Sequence, residues 1–276
     1  MTFTPRRSLR LTMLLSALLL TGSGVAAAQA VAPPQGGYVA LGDSYSSGLG
    51  AGDYRGGGSC RRSARSYAQL WAAAHPARRF DFTACSGATS RDVLTSQLGP
   101  LNEGTDLVSI TAGANDAGFA DVMTVCSLNG DDACLSRVAQ ARTYIEKTLP
   151  AALDTTYGAI RKKSPKAHVV VLGYPHLFAP HRTCARGMTE PKQATLNAAV
   201  DVINRVMSQR AAQHGFTFGD VTRRFAEHGV CSTSPWIHPL TLPVSESYHP
   251  TTDGQEHGYL PEFTGLAPRA GAHRGV

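Results

Sequence analysis

Tyr38-Val39-Ala40-Leu41-Gly42-Asp43-Ser44-Tyr45-Ser46-Ser47-Gly48 runs from four apolar residues into a polar turn flanked by glycines. An unbroken apolar run of this kind reads as a strand buried on both faces, with Gly42 opening the loop that follows it. The form recurs along the chain. Asp106-Leu107-Val108-Ser109-Ile110-Thr111 ends near Gly113, and Ala167-His168-Val169-Val170-Val171-Leu172 ends at Gly173. Phe80-Asp81-Phe82-Thr83 and Phe216-Thr217-Phe218 are shorter strand candidates. Helical spacing lies between the runs: Tyr67, Leu70 and Trp71 share one face, and Tyr144, Ile145, Leu149 and Leu153 mark a pattern from Val138 to Ile160. Val200, Ile203 and Val206 mark another from Leu196 to Met207. Pro150 is expected to start a new helix or to kink the long one. Strands alternating with helices over the whole length predict an α/β fold, a three-layer α/β/α sandwich around a central, mainly parallel sheet. Composition does not shift along the chain, so residues 31–276 read as one domain, with 266–276 a polar, flexible tail.

The 276 residues carry six cysteines, 26 Lys and Arg, and 20 Asp and Glu, for a net charge of +6. With 42% hydrophobic and 17% charged residues, the chain can bury a real core and is not intrinsically disordered. Arg6, Arg7 and Arg10 precede an apolar run from Leu11 to Leu20 that leads to Ala28-Gln29-Ala30, the form of a secretory signal peptide cleaved after residue 30. The run falls short of the roughly 20 apolar residues that span a bilayer. Removing it takes away three arginines and no acid, which lowers the net charge to +3. The remaining cations are scattered in small groups such as Arg61-Arg62 and Arg78-Arg79, so a nucleic-acid-binding face is not indicated. Cys60, Cys85, Cys126, Cys134, Cys184 and Cys231 all follow the signal, and an even count in an exported chain favours three disulfides. No pair has the C-x-x-C spacing of a zinc site.

Four loops carry residues suited to chemistry, and in an open α/β sheet the loops after the strands converge on one edge. Ser44, at the first strand-to-helix turn, suits a nucleophile, though the seven residues from Gly42 to Gly48 equally fit a helix N-cap with turn glycines. In Cys85-Ser86-Gly87-Ala88-Thr89-Ser90, Gly87 lets a bare backbone N–H approach a ligand. In Gly113-Ala114-Asn115-Asp116, the Asn115 amide can donate to an oxyanion or form a local turn. His249, in Glu246-Ser247-Tyr248-His249-Pro250, stands before a helix start expected at Pro250 and suits a general base.

Taken in this order, Gly42-Asp43-Ser44, Gly87, Gly113-x-Asn115 and His249-Pro250 resemble the SGNH hydrolase superfamily, the GDSL-type esterases and lipases, in its secreted bacterial three-disulfide branch. The resemblance spans nearly the whole mature chain and implies the flavodoxin-like form of the sandwich. It implies Ser44 as nucleophile and His249 as base, with an oxyanion hole made by the N–H groups of Ser44 and Gly87 and by the Asn115 amide. It also implies the pairings Cys60–Cys85, Cys126–Cys134 and Cys184–Cys231. Many family members place an Asp three residues before the histidine, where this chain has Glu246. The imidazole is therefore oriented either by Glu246 or by a backbone carbonyl at Ser247, and the carbonyl is favoured. The expected activity is hydrolysis of carboxylic esters of lipids by a secreted, monomeric enzyme in transient contact with lipid surfaces, with no cofactor, metal or nucleic-acid partner. A carbohydrate O-acetyl esterase and a non-catalytic secreted binding module are the alternatives.

Overall fold

Five strands form where the apolar runs predict them: β1 (Gln35–Gly42), β2 (Arg78–Phe82), β3 (Thr105–Thr111), β4 (His168–Leu172) and β5 (Thr217–Gly219). The computed structural model describes residues 1–2, 35–56, 58–180 and 188–268. The chain divides into Met1–Pro33 and Pro34–Val276, and all that follows concerns the second unit. The expected signal peptide, apart from Met1 and Thr2, lies outside the described residues, as do Cys184 and residues 269–276.

All pairings in the sheet are parallel and the strand order is β2-β1-β3-β4-β5. Tyr38 to Leu41 are fully buried, as are Val170 to Leu172, because helices cover both faces of a parallel sheet. One helical layer consists of α2 (Tyr67–Ala73), α8 (Thr222–Phe225) and α9 (Leu260–Leu266), packed through the wide turns of Gly254–Tyr259. Tyr38 projects into this layer and meets the rings of Trp71 and Phe263 at 5.2 and 5.4 Å. The other layer contains α4 (Phe119–Leu128), α5 (Asp131–Lys147), α6 (Leu149–Lys163) and α7 (Glu190–Gln213). The helical pattern across Val138–Ile160 is two helices, since Pro150 falls in the first turn of α6, where a missing N–H costs nothing.

In this order the strands are added first to one side of β1 and then to the other, so the loops after β1 and β3 diverge to leave a crevice. The short helix α1 (Ser44–Ser47) follows β1, and α3 (Ser90–Asp92) follows the loop after β2. Disulfides join Cys60 to Cys85 and Cys126 to Cys134. Two local features fall one or two residues from the positions expected. The N-cap of α1 is Asp43, whose carboxylate accepts from Tyr45 N at 3.0 Å, so Ser44 is the first helical residue and its hydroxyl is free for other use. The helix expected to start at Pro250 begins two residues later, at Thr252. The neighbouring backbone is taken by residues 236–238, with His238 N donating to His249 O and Thr251 N to Trp236 O, and the winding begins only beyond it.

Candidate active site

The turn after β1 is possible only with glycine at its head. Gly42 has φ +120°, and a side chain there would strike the backbone of Thr111 on β3. Asp43 is buried beside it and its second carboxylate oxygen accepts from the Tyr174 hydroxyl at 2.5 Å. Burial pushes the Asp43 carboxyl up to about 7, against the opposing effect of that hydrogen bond. The same Tyr174 hydroxyl accepts from Ala114 N at 3.2 Å, so one ring fastens the Ser44 turn to the loop after β3.

That loop is in turn fastened to the loop carrying Gly87. Asn115 Nδ2 donates to Ala88 O at 3.0 Å, and the Asp116 carboxylate accepts from Ser90 N and Oγ at 2.9 and 2.5 Å. An amide nitrogen carries two hydrogens, so Asn115 keeps one for a ligand. Gly87 adopts φ +81° with nothing near the position of a side chain, so its conformation, rather than lack of room, calls for glycine. Cys85 is held by the bond to Cys60, and Ser86 N donates to Cys60 O at 3.0 Å.

His249 closes the site from the far end of the chain. Its Nε2 lies 2.8 Å from Ser44 Oγ and its Nδ1 lies 2.9 Å from Ser247 O. A carbonyl only accepts, so Nδ1 carries the proton, and in the neutral ring Nε2 is left to accept from the Ser44 hydroxyl. Both side chains are buried, at 5% exposure for Ser44 and 7% for His249. Burial lowers the imidazole pKa to about 4, with the bond to Ser247 acting in the opposite direction. The ring is therefore a free base at neutral pH. Tyr248 stands in the left-handed region at φ +62°, and its carbonyl accepts from the Tyr45 hydroxyl at 2.8 Å, which fixes the bend that aims His249.

Glu246 points elsewhere. Its Oε1 accepts from the Tyr54 hydroxyl at 2.7 Å and from Arg61 Nη2 at 2.9 Å. The four sequence-predicted positions thus meet around one point, and the carbonyl rather than the carboxylate is bonded to the imidazole. Sequence reasoning missed Tyr45, Tyr174, Asp116 with Ser90, and the Tyr54–Arg61–Glu246 cluster. Tyr45 and Asp116 stand directly beside motif residues, which was the available signal; the pairing of Tyr174 with Asp43 left none.

Ser44, Gly87, Asn115 and His249 line a cleft of about 540 Å³, within the range of small-molecule sites. Its wall includes Phe119 and Met123, behind which lies a further apolar space of about 70 Å³. A hydroxyl bonded to a neutral imidazole, next to donors facing an apolar cleft, can transfer an acyl group. Among the described residues no cluster of His, Cys, Asp or Glu could hold a metal ion.

Residues 40–257 match the GDSL-like Lipase/Acylhydrolase family. A lipase from Streptomyces rimosus is 58% identical over 252 residues, 89% of this chain and 94% of that one. Lipase 1 of Streptomyces coelicolor is 54% identical over 268 residues, covering 95% of this chain and all of that one. The crystal structure of phospholipase A1 from Streptomyces albidoflavus NA297 superposes with a TM-score of 0.82 at 51% identity, over 84% of this chain and 100% of that one.

Proposed function

The chain belongs to the GDSL-like lipase and acylhydrolase family, and from that premise we propose that Ser44 and His249 are the nucleophile and base of a secreted enzyme hydrolysing lipid esters. The observation that carries the assignment of roles is the relay from Ser44 Oγ through the imidazole to Ser247 O, at 2.8 and 2.9 Å. As Ser44 Oγ attacks the ester carbonyl carbon, its proton passes to His249 Nε2 and the carbonyl oxygen becomes an oxyanion. Ser44 N–H, Gly87 N–H and the remaining Asn115 Nδ2 hydrogen receive that charge. Collapse breaks the ester C–O bond, and the Nε2 proton goes to the departing alcohol oxygen. Water then gives a proton to Nε2 and attacks the acyl-enzyme, which releases the acid and restores the Ser44 hydroxyl.

Phe119, Met123 and the apolar space behind them give an acyl chain apolar surroundings, which favours lipid esters over acetylated sugars. The reading includes export by a signal peptide over residues 1–30, a third disulfide between Cys184 and Cys231, and action as a monomer. The apolar run after Arg10 supports export, and no described cysteine is free. Among the described residues no helix is long and apolar enough to cross a membrane.

The test is hydrolysis of an acyl-ester series and a phospholipid by the protein and by Ser44→Ala. The substitution is expected to abolish turnover while leaving the circular dichroism spectrum and melting temperature in place, and a serine-reactive phosphonate should label Ser44 alone. Wild-type-like turnover in Ser44→Ala refutes the assignment. An activity confined to acetylated sugars refutes the substrate class.

A further inference from the structure

Four large apolar side chains from Pro34 onward stand mostly in solvent among the described residues: Leu128 at 76% exposure, Leu240 at 57%, Leu242 at 85% and Val244 at 62%. Single exposed leucines are ordinary on a protein surface, but these four share one place. Leu128 ends α4, and Leu240, Leu242 and Val244 lie on the segment that leads to His249. Leu128, Leu240 and Val244 line the cleft that holds Ser44 and His249, and Leu242 lies between the latter two in the chain. The apolar side chains thus form a rim around the entrance, from two segments more than a hundred residues apart.

Both segments are held in this exposed form. The Cys126–Cys134 bond spans the end of α4, and Asn129 Nδ2 donates to Val125 O at 3.1 Å. Ser247 Oγ bonds both backbone groups of Thr241, at 2.9 Å from the N–H and 3.3 Å to the carbonyl, which closes the loop bearing Leu242. Residues 237–247 contain no Lys or Arg, and their one acid, Glu246, is engaged by Arg61 and Tyr54. The segment bearing Leu240, Leu242 and Val244 therefore offers apolar area without a free charge, while the carboxylates Asp131 and Asp132 follow Leu128 by three and four residues.

We infer that this rim is a docking surface for aggregated lipid, seated in the acyl region of a micelle or bilayer so that an ester chain enters the cleft without crossing water. The inference rests on the lipid-ester reading of the site, and continuity of the rim with the cleft selects the occupant. A lipid surface delivers the substrate to Ser44 along the apolar path, whereas a protein seated there would close it. Attachment through leucines makes no use of anionic headgroups, so zwitterionic lipid suffices and salt has little effect.

The test is sedimentation with phosphatidylcholine vesicles in a Ser44→Ala background, which keeps the vesicles intact and reads docking independently of catalysis. Leu242→Ser and Leu128→Ser are each expected to weaken partitioning about tenfold, and raising the salt from about 0.05 to 0.5 M should change it less than twofold. With Ser44 present, Leu242→Ser, whose side chain does not line the cleft, should keep turnover of a dissolved short-chain ester within about twofold while vesicle hydrolysis falls about tenfold. Unchanged partitioning in both leucine variants overturns the inference. So does binding that requires anionic lipid, or a dimer in solution that the same substitutions dissociate. Should Ser44→Ala leave ester hydrolysis intact, the catalytic reading fails, while the vesicle experiment still decides whether the rim docks.

Discussion

Acid should leave this enzyme active well below the pH at which an ordinary histidine is lost. With His249 as the proposed base, catalysis needs its neutral form, and burial among apolar neighbours holds its pKa at about 4 against an ordinary 6.5. The difference amounts to roughly 3 kcal/mol in favour of the neutral ring at 1.36 kcal/mol per unit. At pH 5.5 about 97% of the molecules then keep a neutral imidazole, against about 9% for an unperturbed histidine. The assay is kcat/KM for a dissolved ester from about pH 3.5 to 8, since that parameter reports the free enzyme. An acid limb with its midpoint near 4 is expected, and a limb near 6.5 would refute the burial argument. Asp43, held at about 7, titrates on the other side, and Asp43→Asn should remove any inflection there without moving the acid limb. Folding responds with opposite signs. The His249 contribution is fully present above 6.5 and lost as pH falls through about 4, whereas that of Asp43 is present below 3.8 and lost as pH rises through about 7.

Asn115→Ala should lower kcat by about 10²–10³, or about 2.7–4 kcal/mol, with KM little changed, because its free hydrogen meets charge only in the transition state; a loss under tenfold on several esters would remove Asn115 from the oxyanion hole. Glu246→Gln keeps an acceptor for Tyr54 and Arg61 and takes away the charge. Activity should fall less than about tenfold, since Ser247 O carries the imidazole; a loss near 10⁴, the size seen when a triad carboxylate is neutralised, would transfer that role to Glu246.

The strands were legible because a sheet covered on both faces demands unbroken apolar runs, and Tyr38–Leu41 and Val169–Leu172 supply them in sequence. Three motif positions were legible for a related reason, as Ser44, Gly87 and Asn115 lie within a few residues of a strand end or turn glycine, while His249 was marked by the adjacent Pro250. What stayed hidden depends on pairs far apart in the chain. Tyr174 reaches Asp43 across 131 residues, and Tyr45 reaches Tyr248 across 203. The helix expected at Pro250 begins two residues later, at Thr252, because residues 236–238 hold the backbone at His249 and Thr251. Choosing between Glu246 and Ser247 needed the position of Arg61, 185 residues upstream of Glu246, whose guanidinium draws the carboxylate away.

The partner of His249 Nδ1 is a main-chain oxygen, which every amino acid carries. No amino-acid substitution at position 247 can delete it, unlike a triad whose third member is an aspartate side chain. The vulnerability moves from the identity of a residue to the length of a loop. Inserting or removing one residue between Thr241 and His249 would swing the carbonyl out of reach, although every letter of the surrounding motif could survive. The relay should therefore tolerate substitution at position 247 yet fail on a change of length in this short segment.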